Sequence, residues 1–292
     1  MIETAPTMQA HGASSRQRWI RRLPAHVLDA FLVLVGVAMV IPLIWLFVQS
    51  LTPSATAFST PPQWIPHPLT LDNFKAIPGA IPFGRMALNS VIVSSVTTVG
   101  VLLTSSLAAY AFSRIDFTGN GKLFAVMLGA MMVPGQVTVI PVFIIMRKLG
   151  LVDTLWAIIF PLLINVFGIF FLRQYFSSIP RELDEAAKID GAGHLWILFR
   201  MILPLSGPAV SALAIFVLEA SWNGFFYPLI FINSAENMTL PLGLVSLGGS
   251  IGGAPAVVVF AAMTSVVLPL LIIFVVFQRS FIASIATTGL RS

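Results

Sequence analysis

Charge is so sparse along this chain that its few ionic residues act as punctuation, and the runs between them restrict the fold to one kind. A helix needs about 18 or more predominantly apolar residues to cross the hydrocarbon of a bilayer. Six uncharged runs meet that length. The first follows Asp29 and extends to about residue 51, the second lies between Arg85 and Arg114, the third between Lys122 and Arg147, and the fourth between Asp153 and Arg173. The fifth starts after Arg200 and continues through Glu219 to about residue 232, and the sixth covers roughly 257–277. Hydrophobic residues make up 57% of the 292 and charged residues 9%, and the mean hydropathy is +0.95. No water-soluble surface of this size carries that balance. Backbone groups in lipid must be satisfied within the chain, so the runs are expected to be helices. The expected fold is an all-α integral membrane protein with six transmembrane helices. A basic segment 1–26 precedes the six-span unit 27–277, and a tail 278–292 follows it.

Several chemistries are excluded at once. With no cysteine there is neither a disulfide nor a thiolate metal site. His11, His26, His67 and His194 are too scattered to suggest metal ligation, and no metal site is expected. The basic, serine-containing start resembles a signal-peptide n-region, but the apolar run behind it is too long to be cleaved as one and reads as a first span. The net charge of +5 is not a nucleic-acid signal, because its cations sit at span boundaries. An even number of spans places both termini on one side. If that side is the cytoplasm it holds Arg16, Arg18, Arg21, Arg22, Arg114, Lys122, Arg173, Arg181, Lys188, Arg200, Arg279 and Arg291, leaving Lys75, Arg85, Arg147 and Lys148 outside. Lys and Arg concentrate on the cytoplasmic side of membrane proteins, so cytoplasmic termini are expected. The pair Arg147 and Lys148 runs against the rule.

Within the runs, Pro42, Pro134, Pro141, Pro161, Pro228 and Pro269 each remove a backbone donor and predict kinks. Ser90, Ser94 and Thr98, then Ser105 and Ala109, place small residues every four positions, a spacing that allows close helix approach. Two external loops are expected, a proline-rich one over 52–85 and a glycine- and serine-rich one over 233–255. The one long cytoplasmic connection, 177–206, does not read as a solvated loop. Pro180 suits a first helical turn, Glu182 and Asp184 favour its positive end, and Glu185 to Asp190 is a helix-forming run that Gly191 stops. Leu195, Trp196, Ile197, Phe199 and Ile202 give a second short helix an apolar character. Two short helices parallel to the membrane would form a knob with an alanine face able to enter a groove of a soluble partner.

Glu185, Ala186 and Ala187, then Gly191 after three residues, and Met201 followed by Leu203 and Pro204 resemble the EAA motif of the membrane subunits of ABC importers. The family usually has isoleucine at the Met201 position. Asp190, Gly191 and Ala192 resemble the carbohydrate-uptake branch, the maltose-type inner-membrane permeases. Tyr110 to Arg114, and Trp222, Asn223, Pro228 and Leu229, are also similar to it, so the resemblance covers most of the chain from about Thr52 onward. The tail at Phe277, Gln278 and Arg279 fits as well, but Ser284, Thr288 and Ser292 stand where relatives often have glycine. The resemblance implies a permease of the prokaryotic inner membrane, without an ATPase site or cofactor of its own. Its implied partners are a second homologous permease, an ATPase dimer that binds ATP and Mg, an extracytoplasmic substrate-binding protein and the membrane lipid. It implies a coupling helix between the fourth and fifth spans, carried by Glu185, Ala186, Ala187, Asp190 and Gly191. The expected cargo is a di- or oligosaccharide, with glycerol phosphate or a polyol as the alternative.

Glu219 is the one carboxylate well inside a span, with Trp222, Asn223 and Tyr227 close by. Such groups normally face a protein or water-filled interior. An aromatic face covers the apolar side of a sugar ring while amide and carboxylate oxygens bond its hydroxyls. The same groups could equally hydrogen-bond neighbouring helices, as could Asn89 and Asn165. Gly248, Gly249 and Ser250 begin a G-x-S-x-G string, but no histidine follows position 194 to complete a hydrolase, and no catalytic residues are expected. By the resemblance, this loop contacts the external binding protein. There is no Walker-type phosphate loop. An ion-coupled secondary transporter is the rival class, for which Glu219 alone would have to carry the coupling ion.

Overall fold

The computed structural model describes residues 25–61, 64–249 and 253–289. The arginines of the basic start (Arg16, Arg18, Arg21 and Arg22), Ser250, Arg291 and Ser292 lie outside the described residues. Among the described residues all regular structure is helical, in line with the expected all-α class. In chain order the helices are α1 (Ala25–Ser50), α2 (Asp72–Ala80), α3 (Phe83–Arg114), α4 (Asn120–Ala130) and α5 (Val139–Lys148). They continue with α6 (Leu155–Leu162), α7 (Val166–Ser177), α8 (Glu182–Ile189) and α9 (His194–Ile197). The last four are α10 (Gly207–Trp222), α11 (Phe226–Phe231), α12 (Leu240–Gly248) and α13 (Ala256–Gly289).

Only three of the six uncharged runs form a single helix long and apolar enough to span: Val27–Ser50 of α1, all of α3, and Ala256–Val275 of α13. The other three are broken, and proline explains where. The third divides into α4 and α5 around a turn over 131–138 that holds Pro134 and Gly135. The fourth bends by 41° between α6 and α7, just after Pro161. The fifth bends by 84° between residue 205 and α10, where Pro204 and Pro208 sit, and breaks again at Gly224 before α11. Proline was expected to kink the spans, and the fourth does bend; the third and fifth are interrupted, where a missing N–H and a ring clash break the ladder, while Pro42 and Pro269 lie inside unbroken helices.

α3 is the centre of the bundle. At 32 residues it is about 48 Å long, well beyond the roughly 30 Å of hydrocarbon. The stripe of Ser90, Ser94, Thr98, Ser105 and Ala109 is buried, and α7 and α10 pack along α3. Close approach is real: a Cβ on Gly168 of α7 would stand 2.7 Å from Ser105 Oγ and 3.2 Å from a Leu213 methyl of α10. A side chain at 168 would have to displace both. Small hydroxyls survive in this apolar setting by bonding within their own helix, as Ser94 Oγ and Thr98 Oγ1 do to the carbonyls of Ser90 and Ser94 at 2.7 Å each. Thr104 Oγ1 instead donates at 2.6 Å to Leu163 O, a carbonyl freed by the break after α6, and Asn165 Oδ1 accepts from Gly168 N at 2.7 Å to cap α7. Asn165 is thus a helix cap.

The glycine- and serine-rich stretch 233–255, expected as an external loop, holds a helix among its described residues. It contains α12, with Leu240, Leu242, Gly243 and Leu247 buried. Side chains from α3 hold it: Asn89 Nδ2 donates to Glu236 O (2.7 Å) and Met238 O (2.9 Å), and Ser90 Oγ accepts from Leu240 N (2.8 Å). Gly243 lies directly against the Met86 side chain, leaving no room for a Cβ. At the same end Asp153, in the left-handed region at φ +62°, accepts on Oδ1 from Asn233 N, Ser234 N and Ser234 Oγ, each at 2.9 Å. These donors, the backbone N–H of Ser234 first, hold its carboxyl below the usual carboxylate range.

Candidate functional site

α8 begins with Glu182, Asp184 and Glu185 in its first turn, where acidic groups oppose the positive end of the helix. It ends at Gly191, whose φ of +85° is the left-handed conformation glycine adopts without strain. There Gly191 N donates to Lys188 O (3.0 Å) and Ala192 N to Ala187 O (2.9 Å). The helix has two faces. Asp184 is buried and Ala187 half-buried, the latter packed on a core that includes Tyr110, Phe176 and Ile197. Glu185, Ala186, Asp190 and Gly191 are exposed, and Ile189 projects with 87% of its surface free. After α9 the chain runs through a π-helical turn over Leu198–Ile202 into the sharp bend before α10, with Ile197, Leu198 and Ile202 fully buried and Trp196 and Phe199 exposed.

A charge pair fastens this knob to the bundle. Arg114, the last residue of α3, places Nη1 2.8 Å from Asp184 Oδ2, with side chains only 3% and 8% exposed. Arg114 Nη2 also donates to Phe176 O (2.6 Å) and Ile179 O (2.8 Å), the carbonyls at the end of α7. One guanidinium therefore ties α3, α7 and α8 together, a use of the planar, multi-donor arginine head that lysine could not reproduce. Around it, Arg181 Nη2 donates to Ser113 O (3.1 Å), Arg173 lies 4.0 Å over the Phe124 ring, and Tyr110 Oη is 3.1 Å from His194 Nδ1 of α9. Arg181 also approaches Asp116 at 3.8 Å, but both are well exposed and such a pair contributes little. A cleft of about 120 Å³ lined by Tyr110, Arg114, Asp116, Arg181, Asp184, Glu185 and Lys188 opens beside the pair. Among the described residues, Arg114 Nε and Asp184 Oδ1 have no hydrogen-bond partner.

The second group of candidates is only partly brought together. Asn223 Nδ2 donates to Glu219 Oε1 at 2.7 Å, and both side chains are exposed where α10 ends. Trp222 points elsewhere: it is 6% exposed, in a core with α13, and its Nε1 donates to Val266 O at 3.3 Å. Tyr227 lies beyond the Gly224 break, stacked on Phe231 at 5.8 Å and packed towards α5 and α6. Asn89 holds α12, as described. Of the residues expected to contact a binding protein, Gly248 ends α12 and Gly249 follows it, with Val245 O too close to admit a side chain without displacement.

Spacing along the chain did not reveal the Arg114–Asp184 contact, because 70 positions separate its members. The available signal was weaker, an arginine closing a span and an acid immediately before Glu185.

Residues 100–287 match the family described as binding-protein-dependent transport system inner membrane component. The chain is 37% identical over 260 residues to the arabinooligosaccharides transport system permease protein AraQ of Halalkalibacterium halodurans, covering 86% of this chain and 91% of that protein. It is 33% identical over 263 residues to the trehalose/maltose transport system permease protein MalG of Thermococcus litoralis, covering 89% and 94%. Among solved structures, a bacterial ABC transporter involved in the import of the acidic polysaccharide alginate superposes with a TM-score of 0.80 at 23% identity, over 92% of this chain and 99% of that one. A second alginate transporter structure, in complex with an alginate pentasaccharide-bound periplasmic protein, gives 0.62 at 15% identity, covering 91% and 93%.

Proposed function

The chain belongs to the family of binding-protein-dependent transport system inner membrane components, and from that premise we propose that it forms part of the membrane path of an ATP-driven importer for an oligosaccharide. The relatives named for arabinooligosaccharides and for trehalose and maltose support a sugar cargo. In this reading the six uncharged runs are six spans, three of them proline-broken, with both termini in the cytoplasm. A second permease completes the path, two ATPase subunits bind ATP and Mg, and an extracytoplasmic binding protein delivers the sugar.

The observation that carries the reading is the way α8 is mounted. Its outward face offers Glu185, Ala186 and Ile189 to a partner, while its inward face is locked by Asp184 to Arg114 and thereby to the ends of α3 and α7. A helix held so moves only with the bundle. Closure of the ATPase dimer around the knob would then reach the breaks at residues 163–165 and 205–207, which are the compliant points of their spans. Glu219 and Asn223, paired and exposed at the end of α10, remain the candidates for the path, whereas Trp222 and Tyr227 contribute to packing in this arrangement.

Reconstitution with a second permease, the ATPase and the binding protein tests this. Sugar uptake should require ATP, and Ala186→Trp should abolish it without unfolding the chain, because Ala186 is exposed. Uptake that persists without the ATPase, or unaffected transport in Ala186→Trp, would overturn the assignment.

A further inference from the structure

The loop between α1 and α2 carries an unusual surface. Residues 51–71 contain no Asp, Glu, Lys or Arg, yet Phe58 (73%), Trp64 (56%), Ile65 (70%), Leu69 (65%) and Leu71 (60%) are exposed. Exposed apolar clusters of this kind mark an interaction site. Three observations say what covers it.

First, the loop is rooted on the end of a membrane span. Thr70 N donates to Leu51 O at 3.0 Å, closing the loop on itself, and the buried Asn73 Nδ2 donates to Ser50 O and Thr52 O at 2.9 Å each. Second, the loop folds back along that span. The rings of Trp64 and Trp45 meet edge-on with centroids 5.0 Å apart, and Trp45 precedes the end of α1 by five residues, about 7.5 Å along the helix axis. Third, the flank it covers is open: none of the apolar window of α1 is buried within the protein, against 39% and 33% in the other two unbroken spans, and Leu43, Ile44 and Phe47 are exposed beside Trp45. Charge reappears directly after the loop, in the exposed Asp72–Lys75 pair.

We propose that Phe58 and residues 64–71 form an interfacial anchor seated in the lipid headgroup zone at the Ser50 end of α1, with Trp64, Ile65 and Leu69 inserted at the acyl boundary. Tryptophan suits that depth because its ring is apolar and its N–H is not. The absence of formal charge suits it equally, since a charged group there would resist leaving water. The exposed Asp72 and Lys75 set the water side of the boundary. Anchoring would fix the height of α1 and the adjoining α2 against the bilayer while the rest of the bundle moves.

The absence of native cysteine makes the test direct. Ile65→Cys in the full chain is labelled with a nitroxide in liposomes of phosphatidylethanolamine and phosphatidylglycerol, with Lys75→Cys as the water-side control. Collision with oxygen relative to a water-soluble nickel chelate is expected to be several-fold higher at 65 than at 75. Equal ratios at the two sites would overturn the proposal, showing a water-facing loop. So would low access to both reagents, showing that protein covers the site, or a water-exposed label shielded only when the external binding protein is added. The readout needs neither ATP nor sugar, so its failure is distinct from failure of the transport assignment.

Discussion

Asp184→Asn should loosen the knob from the bundle by an amount set by what Arg114 keeps. The variant leaves a guanidinium whose side chain is 3% exposed without a counter-charge, although its bonds to Phe176 O and Ile179 O remain. Removing one member of a buried pair costs about 3–5 kcal/mol, and the two retained carbonyls place this case near 3 kcal/mol. That is roughly a 150-fold change in the folding equilibrium. Replacing both charges, in Arg114→Met with Asp184→Leu, removes the uncompensated ion and should recover most of the loss. It should fall short of the parent by about 1–2 kcal/mol, for two carbonyls left unpaired. Stability is read by unfolding titration in mixed detergent micelles, and coupling by sugar transported per ATP hydrolysed in proteoliposomes. The double variant is expected to be stable yet poorly coupled, because packing replaces the charge pair but not its geometry. A single variant within about 1 kcal/mol of the parent, or a fully coupled double variant, would refute the reasoning.

Gly243→Ala should destabilise the α12 contact by about 1–3 kcal/mol, and adding Met86→Ala should relieve it, since the Met86 side chain occupies the space a Cβ needs; thermal melts of the parent, the two single variants and the double variant check the cycle. Gly191→Ala should cost about 1 kcal/mol from backbone strain alone, as nothing lies within 4 Å of its added carbon. The Asp153 tie has a folded-state pKa below the unfolded value, so its contribution is complete above the unfolded pKa of about 3.9 and is lost as pH falls through the lower folded one. Amide exchange at Asn233 and Ser234 should therefore stay protected at neutral pH and open only in stronger acid, while Asp153→Ala should open it at all pH. Glu219→Gln with Asn223→Ala should change the sugar dependence of uptake if the pair lines the path; unchanged dependence in both removes them from it.

The parts legible in the sequence were those written locally. Uncharged runs between Arg85 and Arg114 or beyond Val257 became single long helices, and the acids before Glu185 and the glycine at 191 bounded α8 where capping chemistry placed them. Proline carried less information than its position suggested. Pro134 and Pro161 announce a disturbance, but whether a helix bends or stops depends on who satisfies the freed backbone groups; Asn165 does so as a local cap, Thr104 from another helix that no local pattern reveals. α12 was hidden because a stretch rich in glycine and serine reads as a loop, whereas Gly243 packs against Met86 within a helix. Trp222 was likewise judged by its neighbours in sequence rather than by Val266, which it meets in space.

The unbroken course of α3 places two attachments on one rod. Asn89 near one end grips the segment before α12, and Arg114 at the other grips α8, about 37 Å away along a continuous helix. A tilt of only about 5° about one end displaces the other by roughly 3 Å. In the proposed importer such a rod would gear the two faces of the membrane to each other through a single lever, so opening on one side and shutting on the other would not need separate timing.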